Sequence, residues 1–240
     1  MEKSTVESLF NGRLRLRQPR TGYRYTIDPV ILCSHLSPAP GARILDIGCG
    51  CGIMPLIVGF RHPGTSITGI EIQKELADLA AQNIAENNMQ DTVSIIHADI
   101  KDNGLPVDPA PFDLIISNPP YKKANSGRVN PDLQRATARH ELELTIGRLF
   151  TRADDLLKPK GRMVIIFPSE RLFDLCQAIS ETSMLPEWLR FIHPLEGKNA
   201  KRVIVSAVKN IKSSCRVLPP LYLNDNKNNP TKAYKMLFNP

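Results

Sequence analysis

The sequence lacks the features that mark membrane and secreted proteins. No apolar run approaches the roughly 18 residues that a helix needs to cross a bilayer. The first twenty residues, MEKSTVESLFNGRLRLRQPR, lack the apolar core of a signal peptide. We therefore expect a cytoplasmic protein with no membrane partner.

Cysteine is also scarce, and its spacing is not that of a metal site. The five cysteines are odd in number and spread along the chain, and although Cys49 and Cys51 form a CxC, no second Cys or His pair follows at zinc spacing. This pattern predicts reduced thiols, no bound metal and no disulfide framework. The cysteines are Cys33, Cys49, Cys51, Cys176 and Cys215.

Acidic residues are missing from two basic segments. Residues 13–24 hold five arginines and no acid, and residues 198–216 hold six Lys or Arg and no acid. With 31 Lys and Arg against 24 Asp and Glu, the chain carries a formal net charge of +7. The excess favours a polyanionic partner such as nucleic acid.

The first basic segment has the period of a strand. Arg13, Arg15 and Arg17 alternate with Leu14 and Leu16, so the arginines share one face. We interpret that acid-free face as a candidate contact for the phosphates of a nucleic acid. The alternative is the solvated face of an edge strand.

From residue 43 onward, strand patterns alternate with helix patterns. This order predicts an α/β fold with a doubly wound, mostly parallel, seven-stranded sheet that ends in an antiparallel hairpin. We expect one domain over 1–240, with a basic strand and helix in 1–40, a core in 41–210, an unassigned tail in 211–240, and a monomer. The predicted strands are 43–48, 66–72, 92–99, 112–118, 162–168, 187–193 and 201–209, and the predicted helices are 53–60, 73–88, 141–157 and 169–180, the last capped by Ser169.

A glycine turn, DIGCGCG at residues 46–52, lies between the first core strand and its helix. Glycines there allow a tight turn and a close approach of the backbone to a ligand. Glu71 ends the next strand and Asp99 the third, so both should lie at the carboxyl edge, where ligands of such sheets bind. Glu71 can accept hydrogen bonds from ribose hydroxyls and Asp99 can contact an adenine amino group. Each acid taken alone could instead be a helix cap or a solvated turn.

The spacing D-x-G-x-G-x-G resembles the S-adenosyl-L-methionine-binding turn of class I methyltransferases, whose fold is Rossmann-like. The resemblance extends from about residue 20 to 210. It implies S-adenosyl-L-methionine as the cofactor. The implied cofactor-binding residues of the core are Asp46, Gly48, Cys49, Gly50, Glu71, Ile72, Asp99, Ile100 and Asn118.

Asn118-Pro119-Pro120-Tyr121 follows the fourth core strand, which the prolines end because they have no N–H to donate. The motif resembles the catalytic motif of amino methyltransferases. The Asn118 side-chain oxygen and the Pro119 carbonyl could hold both N–H groups of a target amine, and Tyr121 could stack on a flipped base. The alternative is a simple Pro-Pro turn. Other candidate substrate contacts are Pro120, Lys122 and Lys123, with Arg128, Arg135 and Arg139 farther along the same polar loop.

The segment GYRYTIDPVIL precedes the glycine turn, and Thr26 or Asp28 could cap a helix that begins at Pro29. Together with residues 118–145, this segment resembles the bacterial tRNA adenine-N6 methyltransferases, which modify the adenosine beside the anticodon of a valine tRNA. The resemblance implies that Tyr25, Thr26 and Asp28 lie near the methionine end of the cofactor, and that tRNA is the partner.

Other functions share parts of this pattern. Protein glutamine-N5 methyltransferases carry a helical domain before the glycine turn, whereas only 45 residues precede Asp46 here. Adenine methyltransferases that act on DNA bring a target-recognition region, and none is evident. A guanine-N2 methyltransferase of ribosomal RNA and a non-catalytic RNA-binding protein with a degenerate methyltransferase fold remain open. No general base is obvious, although His97 and His140 lie near the motifs.

Overall fold

The computed structural model describes residues 4–21, 24–102, 105, 111–120, 145–212 and 214–238. Their strands are β1 Ser4–Leu9, β2 Leu14–Pro19, β3 Arg43–Ile47, β4 Ser66–Glu71, β5 Val93–His97, β6 Phe112–Ser117, β7 Leu157–Pro168, β8 Met184–Leu195, β9 Arg202–Lys209, β10 Arg216–Val217 and β11 Leu221–Asn224. Their α-helices are α1 Asp28–Cys33, α2 Ile53–Arg61, α3 Lys74–Glu86, α4 Ile146–Leu156, α5 Leu172–Ser180 and α6 Lys232–Met236.

Seven strands form the central part of one sheet, in the order β8-β9-β7-β6-β3-β4-β5. Strands β3 to β7 are parallel, β9 runs antiparallel to β7, and β8 runs antiparallel to β9. The predicted doubly wound sheet with a terminal antiparallel hairpin is confirmed. In the described part of the chain, no helix is long and apolar enough to cross a membrane.

Helices cover both faces of the sheet, which explains the continuous apolar runs in the central strands. Ile44 and Leu45 are neighbours in β3 and both are fully buried, one in each of two apolar clusters. One cluster contains residues of α1, α2 and the N-terminal hairpin, and the other contains residues of α4 and α5. The two clusters hold the strand ends in fixed positions.

The N-terminal segment forms two strands, where the sequence predicts one. β1 pairs with β2 in antiparallel register through a turn in which Phe10, Asn11 and Gly12 all have positive φ. The hairpin packs on α3, because the Asn83 side chain accepts from the Arg17 N–H at 2.7 Å and donates to the Arg17 carbonyl at 2.8 Å.

The tail extends the sheet beyond its seven central strands to nine. β10 and β11 both pair in parallel with β8, and α6 follows β11. Arg61 at the end of α2 donates to the Leu237 carbonyl, which ties the tail to the core. These elements are not evident from a segment rich in Asn and Lys.

Two of the predicted helix caps are wrong. Ser169 does not cap α5, which begins at Leu172; its hydroxyl donates instead to the Ala200 carbonyl at 2.6 Å. Helix α1 begins at Asp28 rather than Pro29, so Asp28 lies inside the helix, and the residue at its N-cap position, Ile27, makes no side-chain hydrogen bond. The Asp28 carboxylate instead accepts from Arg202 Nε at 2.9 Å, a partner 174 residues away.

Candidate active site

Strand register brings the predicted site residues to one edge of the sheet. Ile47, the last residue of β3, pairs with Ile70 of β4 and with Ser117 of β6. Glu71, the last residue of β4, pairs with His97 of β5. The glycine turn, Glu71, Asp99 and the Asn118-Pro119-Pro120 corner therefore leave adjacent strands at the same carboxyl edge, where ligands bind in sheets of this kind.

The glycine turn is held by backbone hydrogen bonds to β4. The N–H groups of Gly48 and Cys49 donate to the Ile70 carbonyl at 2.9 and 3.0 Å. Gly48 has a φ of +77°, which side-chain-bearing residues rarely adopt, and no atom lies within 4 Å of where its Cβ would be. The turn therefore leaves open space beside its backbone for a ligand.

Glu71 holds the glycine turn and the start of α3 together. Its two carboxylate oxygens accept from the N–H groups of Gly50 at 2.8 Å and Gln73 at 2.9 Å. The residue is only 5% exposed. Each carboxylate oxygen retains capacity for a second hydrogen bond, so the residue can also accept from ribose hydroxyls. The contribution of Gln73 is missed by sequence reasoning, because it comes through the backbone.

Asp46 is a buried carboxyl group without a hydrogen-bond partner in the described part of the chain. It is fully buried, and neither oxygen has a hydrogen-bond partner within the described residues. Burial, and secondarily the charge of Glu71, raises the pKa of Asp46 well above its usual value. Burial and the same Asp46 charge raise the pKa of the Cys33 and Cys49 thiols. A donor or a positive charge brought by a ligand would compensate this carboxylate.

Asp99, Ile100 and Ile72 lie in the loops at the ends of β4 and β5. Asp99 accepts from the Lys101 N–H at 2.9 Å and forms an ion pair with the Lys101 side chain at 3.1 Å. Arg152 of α4, another residue missed from sequence, donates to the Ile100 carbonyl at 3.0 Å. The Nε2 atom of His97 lies 3.1 Å from the Ile72 carbonyl oxygen, which gives this histidine a structural contact.

The Asn118-Pro119-Pro120 corner is fixed to the central strand. Ser117, 1% exposed, donates from its hydroxyl to the Ile47 carbonyl at 2.8 Å. Asn118 and Pro119 are half-buried and Pro120 is exposed. The remaining predicted residues of this region lie outside the described residues. They are Tyr121, Lys122, Lys123, Arg128, Arg135, Arg139 and His140.

Tyr25 is held by a residue that the sequence does not single out. Its hydroxyl donates to one Glu7 oxygen at 2.9 Å, and Arg24 donates to the other at 2.5 Å. Burial, and then the Glu7 carboxylate, raises the pKa of Tyr25 well above its usual value. The Thr26 hydroxyl accepts from the Asp28 N–H at 3.3 Å. Glu7 of β1 thus ties the hairpin to the segment that leads into α1.

The arginines in and just before β2 point away from the core, as their alternation predicts. Leu14 and Leu16 are buried, and Arg13 and Arg15 are exposed. The expected absence of acids is wrong, however, because Arg17 forms an ion pair with Glu86 of α3 at 2.6 Å. Glu86 is 69 residues away in sequence, so only the packing of the hairpin on α3 reveals it.

The cysteines form no disulfide and no metal site within the described part of the chain. All five are free thiols, and burial raises the pKa of Cys51 to about 12. No group of three or more His, Cys, Asp or Glu side chains among the described residues is arranged to hold a metal ion.

Comparisons with known proteins agree with this architecture. The model of the methyltransferase small domain family matches residues 27–174. A tRNA1(Val) (adenine(37)-N6)-methyltransferase from Porphyromonas gingivalis is 34% identical over 198 residues, which cover 80% of this chain and 77% of the relative. One from Bacteroides thetaiotaomicron is 31% identical over 76% of each chain. The crystal structure of a predicted O-methyltransferase from Agrobacterium tumefaciens matches with a TM-score of 0.70 at 20% identity, over 88% of this chain and 95% of that one.

The strand order, the glycine turn and the acid at the end of the next strand define a class I methyltransferase, the class whose methyl donor is S-adenosyl-L-methionine. At 20% identity, the structural match supports the fold alone. The sequence matches go further: the chain belongs to the methyltransferase small domain family and, within it, to the tRNA1(Val) (adenine(37)-N6)-methyltransferases.

Proposed function

We propose that this protein transfers a methyl group from S-adenosyl-L-methionine to N6 of an adenosine in tRNA, in the cytoplasm. The target is adenosine 37 of a valine tRNA, as named for the relatives. The observation that carries the proposal is the pairing of β6 with β3, which places the Asn118-Pro119-Pro120 corner directly beside the glycine turn.

The residues at the sheet edge fit this cofactor. The open space at Gly48 admits a ligand against the backbone, and Glu71 has acceptor capacity for the two ribose hydroxyls. The Asp46 carboxyl, which has no hydrogen-bond partner among the described residues, suits the ammonium group of the methionine part. We assign Asp99 and Ile100, which follow β5, to the adenine of the cofactor, and Tyr25, Thr26 and Asp28 to its methionine end. The cofactor supplies an electrophilic methyl group on a sulfonium.

The chain's own contribution to the reaction is orientation. The lone pair of an exocyclic adenine amine is conjugated with the ring, so the amine is a poor nucleophile. The Asn118 side-chain oxygen and the Pro119 carbonyl accept its two N–H groups, which favours a pyramidal nitrogen with its lone pair directed at the methyl group. Tyr121 stacks on the flipped base. No general base is required, because the methylated amine is acidic enough to release its proton to water.

The contact of His97 argues against a role of this histidine as a base. Its Nε2 atom is engaged with the Ile72 carbonyl, so this ring nitrogen is occupied by a structural contact. When the proton is released to water, no side chain has to accept it. The pH dependence of turnover should therefore follow cofactor binding rather than the titration of a histidine.

The proposal is tested by incubating the protein with labelled S-adenosyl-L-methionine and total tRNA from cells that lack the modification. The tRNA is then digested and the labelled nucleoside identified. N6-methyladenosine is the expected product. N2-methylguanosine would indicate the guanine alternative, label in protein would indicate glutamine methylation, and cofactor binding without any product would favour the non-catalytic RNA-binding protein.

Asn118→Ala provides the matched variant for the same assay. It should abolish methyl transfer and leave cofactor affinity nearly unchanged, because the proposed contact of Asn118 is to the target amine. Full activity of a folded Asn118→Ala protein would remove Asn118 from the proposed mechanism.

A further inference from the structure

One large apolar side chain is strongly exposed at the active-site edge. Phe173 is 85% exposed, the highest value among the exposed large hydrophobic residues of the described chain. It is the second residue of α5, which follows the carboxyl end of β7. A single exposed apolar side chain is common in proteins, so its position and surroundings decide whether it has a role.

The strand that leads to Phe173, β7, ends beside the Asn118 corner. Ile165 of β7 pairs with Ser117 of β6, and β7 continues to Pro168. At about 3.3 Å per residue, β7 extends roughly 7 Å past the level of Asn118 before the chain turns into α5. Phe173 therefore belongs to a wall on the β7 side of the site, opposite the side of the glycine turn.

That wall is rigid. The Arg171 guanidinium lies over the Phe167 ring at 4.8 Å and forms an ion pair with Asp174 at 2.8 Å. The Ser169 hydroxyl and N–H donate to the carbonyls of Ala200 and Lys201 at 2.6 and 3.3 Å. The start of α5 is thus fixed to the loop that joins β8 to β9.

The β8–β9 loop, residues 196–201, adds positive charge to the wall. Arg202 pairs with Pro168, so the loop lies at the same carboxyl edge. Lys198 and Lys201 are exposed, and neither ammonium group has an ion-pair partner within the described residues. Their backbones are held by the Leu195 and Ile192 carbonyls at 3.1 and 2.9 Å. The acids nearest in sequence are Glu196 in the loop and Glu170 and Asp174 near Phe173, so the loop and helix start together are not uniformly basic.

We infer that Phe173, Lys198 and Lys201 form a second RNA contact surface, in which Phe173 stacks on an unpaired base next to the target and the lysines bind flanking phosphates. This inference rests on the proposed function, because it requires an RNA substrate. Exposed aromatic rings stack on bases of any sequence, and ammonium groups bind phosphates, so this combination suits a single-stranded anticodon loop. Flipping the target base leaves its neighbour unstacked, and Phe173 replaces that missing stacking partner.

The test is equilibrium binding of tRNA, with S-adenosyl-L-homocysteine present so that binding is measured without turnover. Phe173→Ala should weaken tRNA binding about 5- to 100-fold, the range for removal of one base–aromatic stack. Phe173→Tyr should retain most of the affinity. Val217→Ala is the matched control, because Val217 is 68% exposed on β10, away from this edge, and its truncation should have no effect.

The proposed phosphate contacts of the two lysines are tested by measuring how tRNA affinity depends on salt concentration. Lys198→Gln with Lys201→Gln should flatten the slope of log affinity against log salt by about 1.4, or about 0.7 for each single-strand phosphate that is no longer neutralised. Lys160→Gln with Lys212→Gln removes the same charge at the opposite edge of the sheet and should leave the slope unchanged. Cofactor affinity and melting temperature should not change in any variant.

The outcomes separate this inference from the proposed function. Unchanged tRNA affinity in Phe173→Ala, or an equal loss in Val217→Ala, would overturn the inference even if the protein makes N6-methyladenosine. Self-association of the protein that Phe173→Ala abolishes would overturn it in favour of a second copy of the chain. If tRNA binds and depends on Phe173 but no N6-methyladenosine forms, the surface stands and the proposed reaction fails. If the wild-type protein does not bind tRNA, both fail.

Discussion

At the scale of single residues, Asp46 shows how a ligand site can weaken the ligand-free fold. Its carboxyl group is fully buried without a hydrogen-bond partner in the described structure, and its pKa is raised, first by burial and then by Glu71. The folded state therefore retains the proton at pH values where the unfolded state has released it. Folded protein binds more protons, so stability falls as pH rises from about 4, the usual pKa of an Asp, toward the folded pKa.

We predict that Asp46→Asn stabilises the ligand-free protein and weakens cofactor binding. The amide carries no charge to desolvate, so the gain in unfolding free energy should grow as pH rises from about 4. The loss of affinity follows because Asn cannot offer a negative charge to the ammonium group. Chemical denaturation across a pH series and calorimetric titration with S-adenosyl-L-homocysteine measure the two effects. Lower stability of the ligand-free variant at neutral pH would contradict this account.

Glu71 should have two separable roles. Its carboxylate accepts from Gly50 and Gln73, and we propose that it also accepts from the ribose. Glu71→Ala should therefore lower stability and weaken cofactor binding by about 1.5–3 kcal/mol, the range for hydrogen bonds to a charged group. Glu75→Ala removes an exposed acid from the first turn of α3 and serves as the charge-matched control. Unchanged affinity in folded Glu71→Ala would refute the ribose assignment.

At the scale of elements, the sequence predicts those parts that rest on local periodicity. β3 to β7 and their helices follow from apolar runs, glycine turns and helical spacing. β10, β11 and α6 do not, because their place depends on pairing with β8 rather than on their own composition. Ser169 has the residue type of a cap, but its hydroxyl meets Ala200, which only the folded chain brings near.

The same limit applies to the candidate site. Motif spacing places the glycine turn, Glu71, Asp99 and Asn118 at one edge, because parallel strands bring their ends together. Glu7 and Arg202 could not be predicted, since their partners Tyr25 and Asp28 lie 18 and 174 residues away. Contacts of this kind arise from packing between elements and leave no periodic signal in the sequence.

The position of the N-terminal hairpin limits which part of the tRNA its arginines can contact. The Arg15 N–H donates to Asn87 at the far end of α3, a helix of 13 residues and so about 20 Å long. Arg13 and Arg15 are therefore far from the edge where α3 begins. We propose that they contact phosphates of the tRNA arm well away from the target base.

Arg13→Gln with Arg15→Gln should accordingly flatten the salt slope for full-length tRNA by about 0.9 for each duplex phosphate that is no longer neutralised. A short anticodon stem-loop, which cannot reach the hairpin, should bind the variant as well as the wild type. Arg17→Gln is the comparison: its pair with Glu86 is 28% exposed on each side, so it should mainly reduce stability, by up to about 1 kcal/mol. An unchanged slope with full-length tRNA would return Arg13 and Arg15 to the solvated-face interpretation.

At the scale of the whole molecule, the N-terminal hairpin and the C-terminal tail both contact the end of α2. Arg61 lies over the Phe10 ring of the hairpin at 5.1 Å and also donates to the Leu237 carbonyl of the tail. Phe10 stacks on Phe60 of α2 at 5.3 Å. These contacts hold α2, and hence the glycine turn at its start, in a fixed position. The net charge of +7 on the whole chain favours the approach of a polyanion such as tRNA.

The central claim is methylation of one adenosine amine in tRNA, and the most direct measurement maps the methyl group on defined transcripts. A valine tRNA transcript with adenosine at position 37, and a second with guanosine there, are incubated with the wild-type protein and S-adenosyl-L-methionine. Mass spectrometry of the digested fragments then locates the product. We predict one N6-methyladenosine at position 37 of the first transcript and no methylation of the second. Methylation of both transcripts, or a methyl group on guanine N2 in either one, would contradict the account.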